Sequence, residues 1–509
     1  MQQHLPVLLI ITPLVAAPLC LLLRQRVAAL ALALAVCWST FAMALWLLEI
    51  ARCTRDGITY QLGGWAAPWG IEYHVDTLGG LMLVLISGIA AIALTFAPRS
   101  IQDEIPAGQH YLFATEYLLC LTGLLGICVT GDLFNLFVFL EISSLSAYAL
   151  ISLGHSRRAL TAAFQYLVMG TIGATFILIA IGLMYMMTGT LNMADMAERL
   201  KRTIELGERT VVVHQTRTIL VAFAFLSVGI SIKMALFPLH LWLPNAYAYA
   251  PSVVTGFLAA TATKVSVYML LRFVFTVFGD QFSFQMLPFD IGLMALALIG
   301  IFAASTTAIF QTNIKRMLAY SSVAQVGYMA LGISFASESG LTGGIVHMFN
   351  HALIKGGMFL AMGCLVFRLG SVELTDLRGV GRRMPLTMFA WVLGGLGLIG
   401  VPVTAGFISK WYLISAALER GWWPVAVLML LSSLLAVIYI WRVVEVAYFQ
   451  EPPETDQPVQ EAPLALLLPT GLLIGANIVF GLWTTLSVGA AGEAARQLLG
   501  VTPLLGVTP

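Results

Sequence analysis

The stretch SIKMALFPLHLWLPNAYAYAPSVVTGFLAATATKVSVYMLLR, residues 231–272, carries Lys233 and Lys264 in an apolar run without a single carboxylate. Lys264 has twelve uncharged residues of its own span before it and seven after it. A charge at mid-bilayer costs about 2.5–3.5 kcal/mol even on the lenient insertion scale, so packing alone does not account for it. The bland alternative is snorkelling, in which the long stem carries the ammonium to an interface. The apolar chain on both sides of Lys264 argues against that. Pro238 follows Lys233, and a proline inside a membrane helix frees a carbonyl and kinks the segment. The run reads as an interrupted membrane helix followed by an intact one, each with a buried lysine.

Composition extends this reading to the whole chain. Of 509 residues, 59% are hydrophobic and 10% charged, against about 25% charged in a soluble domain. Lipid must solvate much of that surface. Stretches long enough to span recur at 5–23, 27–48, 77–97, 111–130, 134–153, 160–188 and 218–241. They continue at 252–278, 289–310, 317–335, 341–367, 386–417, 423–447 and 463–488. The expected fold is an all-α polytopic membrane protein of about fourteen transmembrane helices. No basic region precedes the first stretch, which reads as a retained helix and not a cleaved signal. Two connections are longer. Residues 49–76 contain GGWAAPWGIEYHVDTLGG, an ordered interfacial loop; residues 189–217 carry Asp195, Glu198, Arg199, Lys201, Arg202, Glu205 and Glu208, a surface helix and loop.

Several function classes fall away. A formal net charge of +1 with no basic patch gives no sign of a nucleic-acid partner. No glycine-rich phosphate loop follows a strand pattern, so ATP-driven transport lacks support. Cys20, Cys37, Cys53, Cys120, Cys128 and Cys364 show no close pairing and sit mostly in apolar runs. They read as packing residues, which leaves no cofactor or metal site expected. Basic residues in short loops set orientation. Arg24, Arg26, Arg99, Arg157, Arg158, Lys315, Arg316, Arg368, Arg378, Arg382, Arg383 and Arg442 share one side. Outside the long loop, only Arg52, Arg55, Arg420 and Arg496 fall on the other. Both termini should face away from the cytoplasm.

The cations are segregated by type. Twenty are arginines, which fill the loops; the six lysines include Lys233, Lys264, Lys355 and Lys410 well inside apolar spans. Lys315 stands at a membrane edge beside Arg316, and Lys201 is an ordinary loop residue. Arginine keeps its proton, whereas a buried lysine can release one. Glu141 follows eight uncharged residues in GDLFNLFVFLEISSLSAYALISLG, and a carboxylate buried alone would protonate or seek a cation. Asp132, at the start of that segment, reads as an exposed helix-end residue. In GGIVHMFNHALIKGGMF, His347, His351 and Lys355 recur at i, i+4 and i+8, on one helical face spread over roughly 12 Å. Imidazole exchanges protons near neutral pH, and the stripe has no carboxylate or cysteine that would make it a metal site. Lys410 follows Gly400, Pro402 and Gly406 in GLIGVPVTAGFISK, a second break beside a buried lysine. Breaks in two comparable places point to transport sites in repeat-built transporters.

These motifs together resemble a known family. The stretches at 131–151, 231–272, 313–332 (NIKRMLAYSSVAQVGYMALG), 347–360 (HMFNHALIKGGMFL) and 406–414 (GFISKWYLI) are similar to the proton-translocating antiporter-like subunits. Respiratory complex I, membrane-bound hydrogenases and Mrp-type cation/proton antiporters share these subunits. GDLFNLFVF and TDLRG (375–379) are most similar to the D subunits of Mrp antiporters. Asn245 stands where the family usually has aspartate, and Lys410 where some complex I members carry glutamate.

The resemblance implies two inverted five-helix repeats, spans 4–8 and 9–13, with spans 7 and 12 broken. The domains are then 1–110, with three helices and the interfacial loop; 111–280 and 281–450, the two half-channels; and 451–509, the last helix and tail. Glu141 and Lys233 would pair in the first half-channel, and Lys264 would lead toward the middle. His347 and His351 would lie between the halves, Lys410 would serve the second half's outlet, and Lys355 is a further proton-transfer candidate. His240 and Lys315 are accessory candidates. The expected function is a non-enzymatic proton-conducting subunit of a multisubunit monovalent cation (sodium)/proton antiporter in a bacterial inner membrane. It would work beside other integral membrane subunits. The rival is a redox-driven proton-pumping subunit of a complex I-like enzyme or hydrogenase; a scaffold with inert buried charges is the third reading.

Overall fold

A computed structural model describes residues 2–54, 57–206, 209–452 and 459–501. Arg55 of the orientation set, Glu208 of the charged loop, and the tail residues 453–458 and 502–509 lie outside the described residues. Helices α1 (Leu5–Leu23) and α2 (Arg26–Cys53) lead into strands β1 (Ile58–Gln61) and β2 (Glu72–Val75). Then come α3 (Thr77–Glu104), α4 (His110–Val129), α5 (Leu133–Ser152), α6 (Arg157–Thr188) and α7 (Met193–Leu200). Strands β3 (Thr203–Leu206) and β4 (Arg209–Val212) precede α8 (Arg217–Met234), α9 (Trp242–Tyr249) and α10 (Ser252–Leu271). The rest is α11 (Phe289–Ile309), α12 (Ile314–Ser334), α13 (Glu338–Leu369), α14 (Val380–Arg383), α15 (Pro385–Ile399) and α16 (Ala405–Glu419). The chain closes with α17 (Trp423–Phe449), α18 (Leu464–Leu482) and α19 (Thr484–Leu498).

Twelve helices among the described residues are long and apolar enough to cross a membrane. The expected fourteen spans also include α12, which falls short in hydropathy, and the interrupted pair α15–α16. Both expected breaks are present, between Met234 and Trp242 and between Ile399 and Ala405. One boundary differs. The single helix expected at 463–488 ends at Leu482 and restarts as α19 after Trp483.

Several helices start where the sequence supplies an oxygen to the first-turn N–H groups. Asp76, Asp132, Asn192, Asn313 and Ser337 accept such bonds at α3, α5, α7, α12 and α13, a contribution of about 1 kcal/mol each. Asp132 is buried, against the exposure expected of a helix-end residue. Its chain neighbours are stitched between two loops: the Gly131 N–H donates to Glu72 O, the Met193 N–H to Gly131 O and the Leu133 N–H to Leu191 O, each at 2.9 Å. The β1–β2 hairpin, the α7 segment and α19 thus share one end of the bundle, the hairpin face. Glu104, the start of α10 and the start of α12 lie at the opposite face.

α10 and α13 form the centre, buried on nearly all sides, as helices apolar all round must be. Glycines let them approach. A Cβ added at Gly256 would meet Leu360 at 2.7 Å, and one at Gly356 would meet Ala260 at 3.4 Å; such small-residue contacts are how membrane helices pack closely.

At the hairpin face a buried ion pair pins α10 to α3. Arg272, in the π-helical turn Arg272–Val277, grips both oxygens of Asp76, with Nη1 at 2.6 Å from Oδ2. Burial alone would raise the Asp76 carboxyl. The Arg272 charge and hydrogen bonds outweigh that and hold it at about 2, below its ordinary 3.8. The stabilisation is therefore complete above pH 3.8 and is lost only as pH falls through about 2. Asp76→Asn should cost about 3–5 kcal/mol by stranding the guanidinium. Thermal melting in detergent should show a deficit that stays constant between pH 5 and pH 8.

Candidate functional site

The interior lysines are held almost entirely by neutral oxygens. Lys233, on the last turn of α8, donates to Ser144 Oγ of α5 at 2.8 Å, and Glu141 Oε1 lies 3.9 Å away. Glu141 keeps 27% of its side chain exposed while Lys233 keeps 3%, yet the Oε1 that faces the lysine is buried without a hydrogen-bond partner. Beside them is a cavity of about 20 Å³ lined by Ser143, Ser144, Lys233, Ala262 and Ser266, room for one water. It lies between α5 and α10, and α10 carries Lys264.

Lys264 is fully buried. Its ammonium donates to Ala259 O on its own helix, and α10 packs along α13, the helix that bears His347, His351 and Lys355. The two imidazoles lie parallel with centroids 6.0 Å apart. His347 Nδ1 hydrogen-bonds Ser409 Oγ at 2.9 Å, while His347 Nε2 and both His351 nitrogens have no protein partner. Buried polar atoms in that condition call for water. Lys355 turns the other way, donating to Leu318 O at 2.8 Å and Ser321 Oγ at 2.9 Å on α12. Ser321 in turn hydrogen-bonds Tyr439 of α17.

Lys410 follows Ser409 on α16. It donates to the Leu398 and Ile399 carbonyls at 3.0 and 2.9 Å and to Ser433 Oγ at 2.9 Å. Those carbonyls are the ones the break frees at the end of α15, and a lysine satisfies them. At the first break Trp242 Nε1 does that service for Ile232 O, at 2.9 Å. Tyr328 stands between His347 and Lys410, its ring centroid 5.4 Å from the imidazole and 5.0 Å from the ammonium. Asn350 ties the start of α16 to α13 through Ala405 O at 2.7 Å.

The structure thus brings Glu141 to Lys233, and brings Lys264, His347, His351, Lys355 and Lys410 around the α10–α13–α16 junction. His240 sits apart in the first break, stacked on Phe237 and edge-on to Tyr320. Lys315, expected at a membrane edge, is 4% exposed at the start of α12 and donates to Ser252 Oγ at 2.9 Å. Asn245 bonds Gln165. Sequence reasoning misses Ser144, Ser321, Tyr328, Ser409 and Ser433, because hydroxyls in membrane helices carry no individual signal.

Residues 130–436 match the profile of the transmembrane NADH:quinone oxidoreductase/Mrp antiporter family, and the chain belongs to that family of antiporter-like membrane subunits. It is 42% identical to the N subunit of the NADH-quinone oxidoreductase of Desulforudis audaxviator, over 94% of this chain and 95% of that one. It is 30% identical to the D subunit of the Na(+)/H(+) antiporter of Alkalihalophilus pseudofirmus, over 88% of each. Among solved structures it is similar to a chain of the archaeal membrane-bound sulfane sulfur reductase. That match has a TM-score of 0.88 and 30% identity, and covers 97% of this chain and 98% of that one. The higher identity to the oxidoreductase protein means that these relatives do not single out the Mrp antiporter.

Gly400 combines a φ of +87° with a position where a Cβ would come within 2.9 Å of Lys410 Cδ. Gly400→Ala should cost about 1–3 kcal/mol in stability. It should also displace Lys410 from its carbonyls, so that lowered melting temperature and impaired ion transport appear together in the purified complex.

Proposed function

We propose that this chain conducts protons through a membrane as one subunit of a hetero-oligomeric complex, along Glu141, Lys233, Lys264, His351, His347 and Lys410. The observation that carries this reading is four interior lysines solvated by hydroxyls and backbone carbonyls, with one carboxylate among them. An ammonium locked to a carboxylate is inert, whereas one held by neutral oxygens can lose its proton without leaving a charge behind. A proton arriving at Glu141 neutralises it, removes the partner of the Lys233 charge and drives the lysine's proton onward. The histidines can take and pass on a proton through either ring nitrogen and lie between Lys264 and the Ser409–Lys410 pair. Lys355, bonded to α12, is a branch of this line. His240 and Lys315 are accessory to it. The division at residues 110, 280 and 450, with half-channels at 111–280 and 281–450, belongs to the same proposal.

Two couplings follow from the relatives. In the first, protons exchange against sodium or another monovalent cation, as the similarity to antiporter D subunits suggests. In the second, redox chemistry in partner subunits drives pumping, which the 42% identity to an oxidoreductase protein favours. The asymmetry of the basic loops supports a bacterial inner membrane with both termini on the non-cytoplasmic side. Purification of the intact complex separates the couplings: iron–sulfur subunits belong to the second and their absence to the first.

Lys264→Arg tests the relay, since arginine keeps the charge and cannot release its proton. The variant complex should assemble and lose proton transport in vesicles; normal transport would remove Lys264 from the path. Glu141→Gln should fail in the same assay, while Glu141→Asp should retain part of the activity because the charge survives on a shorter stem.

A further inference from the structure

The face opposite the hairpins carries a cleft of about 330 Å³ lined by Asp103, Glu104, His155, Tyr249 and Lys315. At its base Lys315 and Glu104 do not touch. Ser252, the first residue of α10, joins them: its Oγ accepts from Lys315 Nζ at 2.9 Å and donates to Glu104 Oε2 at 2.9 Å. Ser100 donates to the other Glu104 oxygen at 2.7 Å. Lys315 is buried while Glu104 is partly open to the cleft, so the three groups run from water to interior. One turn further along α12, Leu318 O accepts from Lys355. The cluster therefore ends beside the inner line.

We infer that Glu104, Ser252 and Lys315 form a proton-exchanging mouth on this face, connecting water in the cleft with Lys355. This rests on the proton-conducting reading above. Glu104 takes a proton from hydronium, forming an O–H bond and releasing water. The acid then gives that proton to Ser252 Oγ as the serine's own hydroxyl proton passes to neutral Lys315. One O–H bond breaks at Glu104 and one N–H bond forms at Lys315. The reverse transfer runs through the hydrogen bonds now observed, with the lysine as donor.

A structural role competes with this, because the Ser252 N–H also donates to Glu104 Oε2, at 2.7 Å, which caps α10 where Pro251 offers no side-chain oxygen. Glutamine keeps an acceptor for that cap and cannot hold an exchangeable proton. Other groups that titrate or bear charge nearby are Asp103 on α3, His155 before α6 and Arg316 on α12. His110 bonds the Ile101 and Ile105 carbonyls, and Arg368 turns away to Glu461 O.

The test uses the purified complex in proteoliposomes, with pH varied on one face at a time. Glu104→Gln should slow proton transport by roughly tenfold or more, the low end of what a lost acid–base group costs. It should also flatten the dependence on cleft-side pH, leaving the response at the hairpin face unchanged. Glu104→Asp should restore part of both. A wild-type rate, or a slower rate with an unaltered pH profile, overturns the mouth and leaves Glu104 as a cap. If the Gln variant does not assemble, Ser252→Ala decides, since it keeps the backbone bond and removes the relay hydroxyl; a wild-type rate there overturns the inference. Lys264→Arg runs in parallel. If it is inactive while Glu104→Gln is normal, only the mouth falls; if it transports normally, the relay falls and takes the mouth with it.

Discussion

An ammonium group inside a dry helix bundle needs oxygen atoms, and where those oxygens come from governs the rest of this structure. Carboxylates would supply them at the expense of mobility of the charge. Among the described residues, Lys233 alone of the four interior lysines has a carboxylate close by, and even that one stands 3.9 Å off. The remaining interior lysines draw on serines and on backbone carbonyls. In an unbroken helix those carbonyls are already bonded four residues on. Lys264 and Lys355 share such carbonyls inside intact helices, whereas the two that hold Lys410 are free because α15 stops at Ile399. The break and the lysine therefore explain each other: the chain interruption solvates the charge, and the charge satisfies the interruption.

The same constraint shapes the packing around the line. α10 and α13 bear Lys264 and the His347–His351–Lys355 stripe, and both are buried over most of their length. Water reaches such a centre only through defined openings. At the hairpin face the Asp76–Arg272 pair sets a permanent cation on the same stripe of α10 as Lys264 and Tyr268, beside a cavity of about 120 Å³ lined by Glu72, His74, Tyr268 and Arg272. That face also carries a cleft of about 570 Å³ lined by Glu338, Thr342 and Arg496, and the opposite face carries the cleft above Lys315.

Much of this is legible in the chain, and the part that is not has a common cause. A lysine in an apolar run announces itself because few other reasons keep it there, and Pro238 and the Gly400–Pro402–Gly406 cluster mark the breaks by backbone chemistry alone. The partners of those lysines stay hidden. Ser144, Ser321, Ser433 and the carbonyls of Leu398 and Ile399 become ligands only through the approach of distant helices. Nothing in the sequence singles out Glu104 until α10 places Ser252 against it. Lys315 does stand at the helix end that Arg316 marks; what stays hidden is that the start of α10 folds over it. α19 escapes because TTLSVGAAGEAARQL has too many small residues to show an apolar period, and the burial of Asp132 because it comes from loops that meet only in the folded chain.

The glycine contact between α10 and α13 has a dynamical meaning. With Gly256 and Gly356 at the junction, the two helices pack so closely that an added Cβ would meet Leu360 on one side and Ala260 on the other. Lys264 on one helix and His351 on the other are thereby held at a fixed, short helix spacing, so that rotating side chains and reorienting water suffice to link them without any displacement of whole domains, a motion of microseconds to milliseconds.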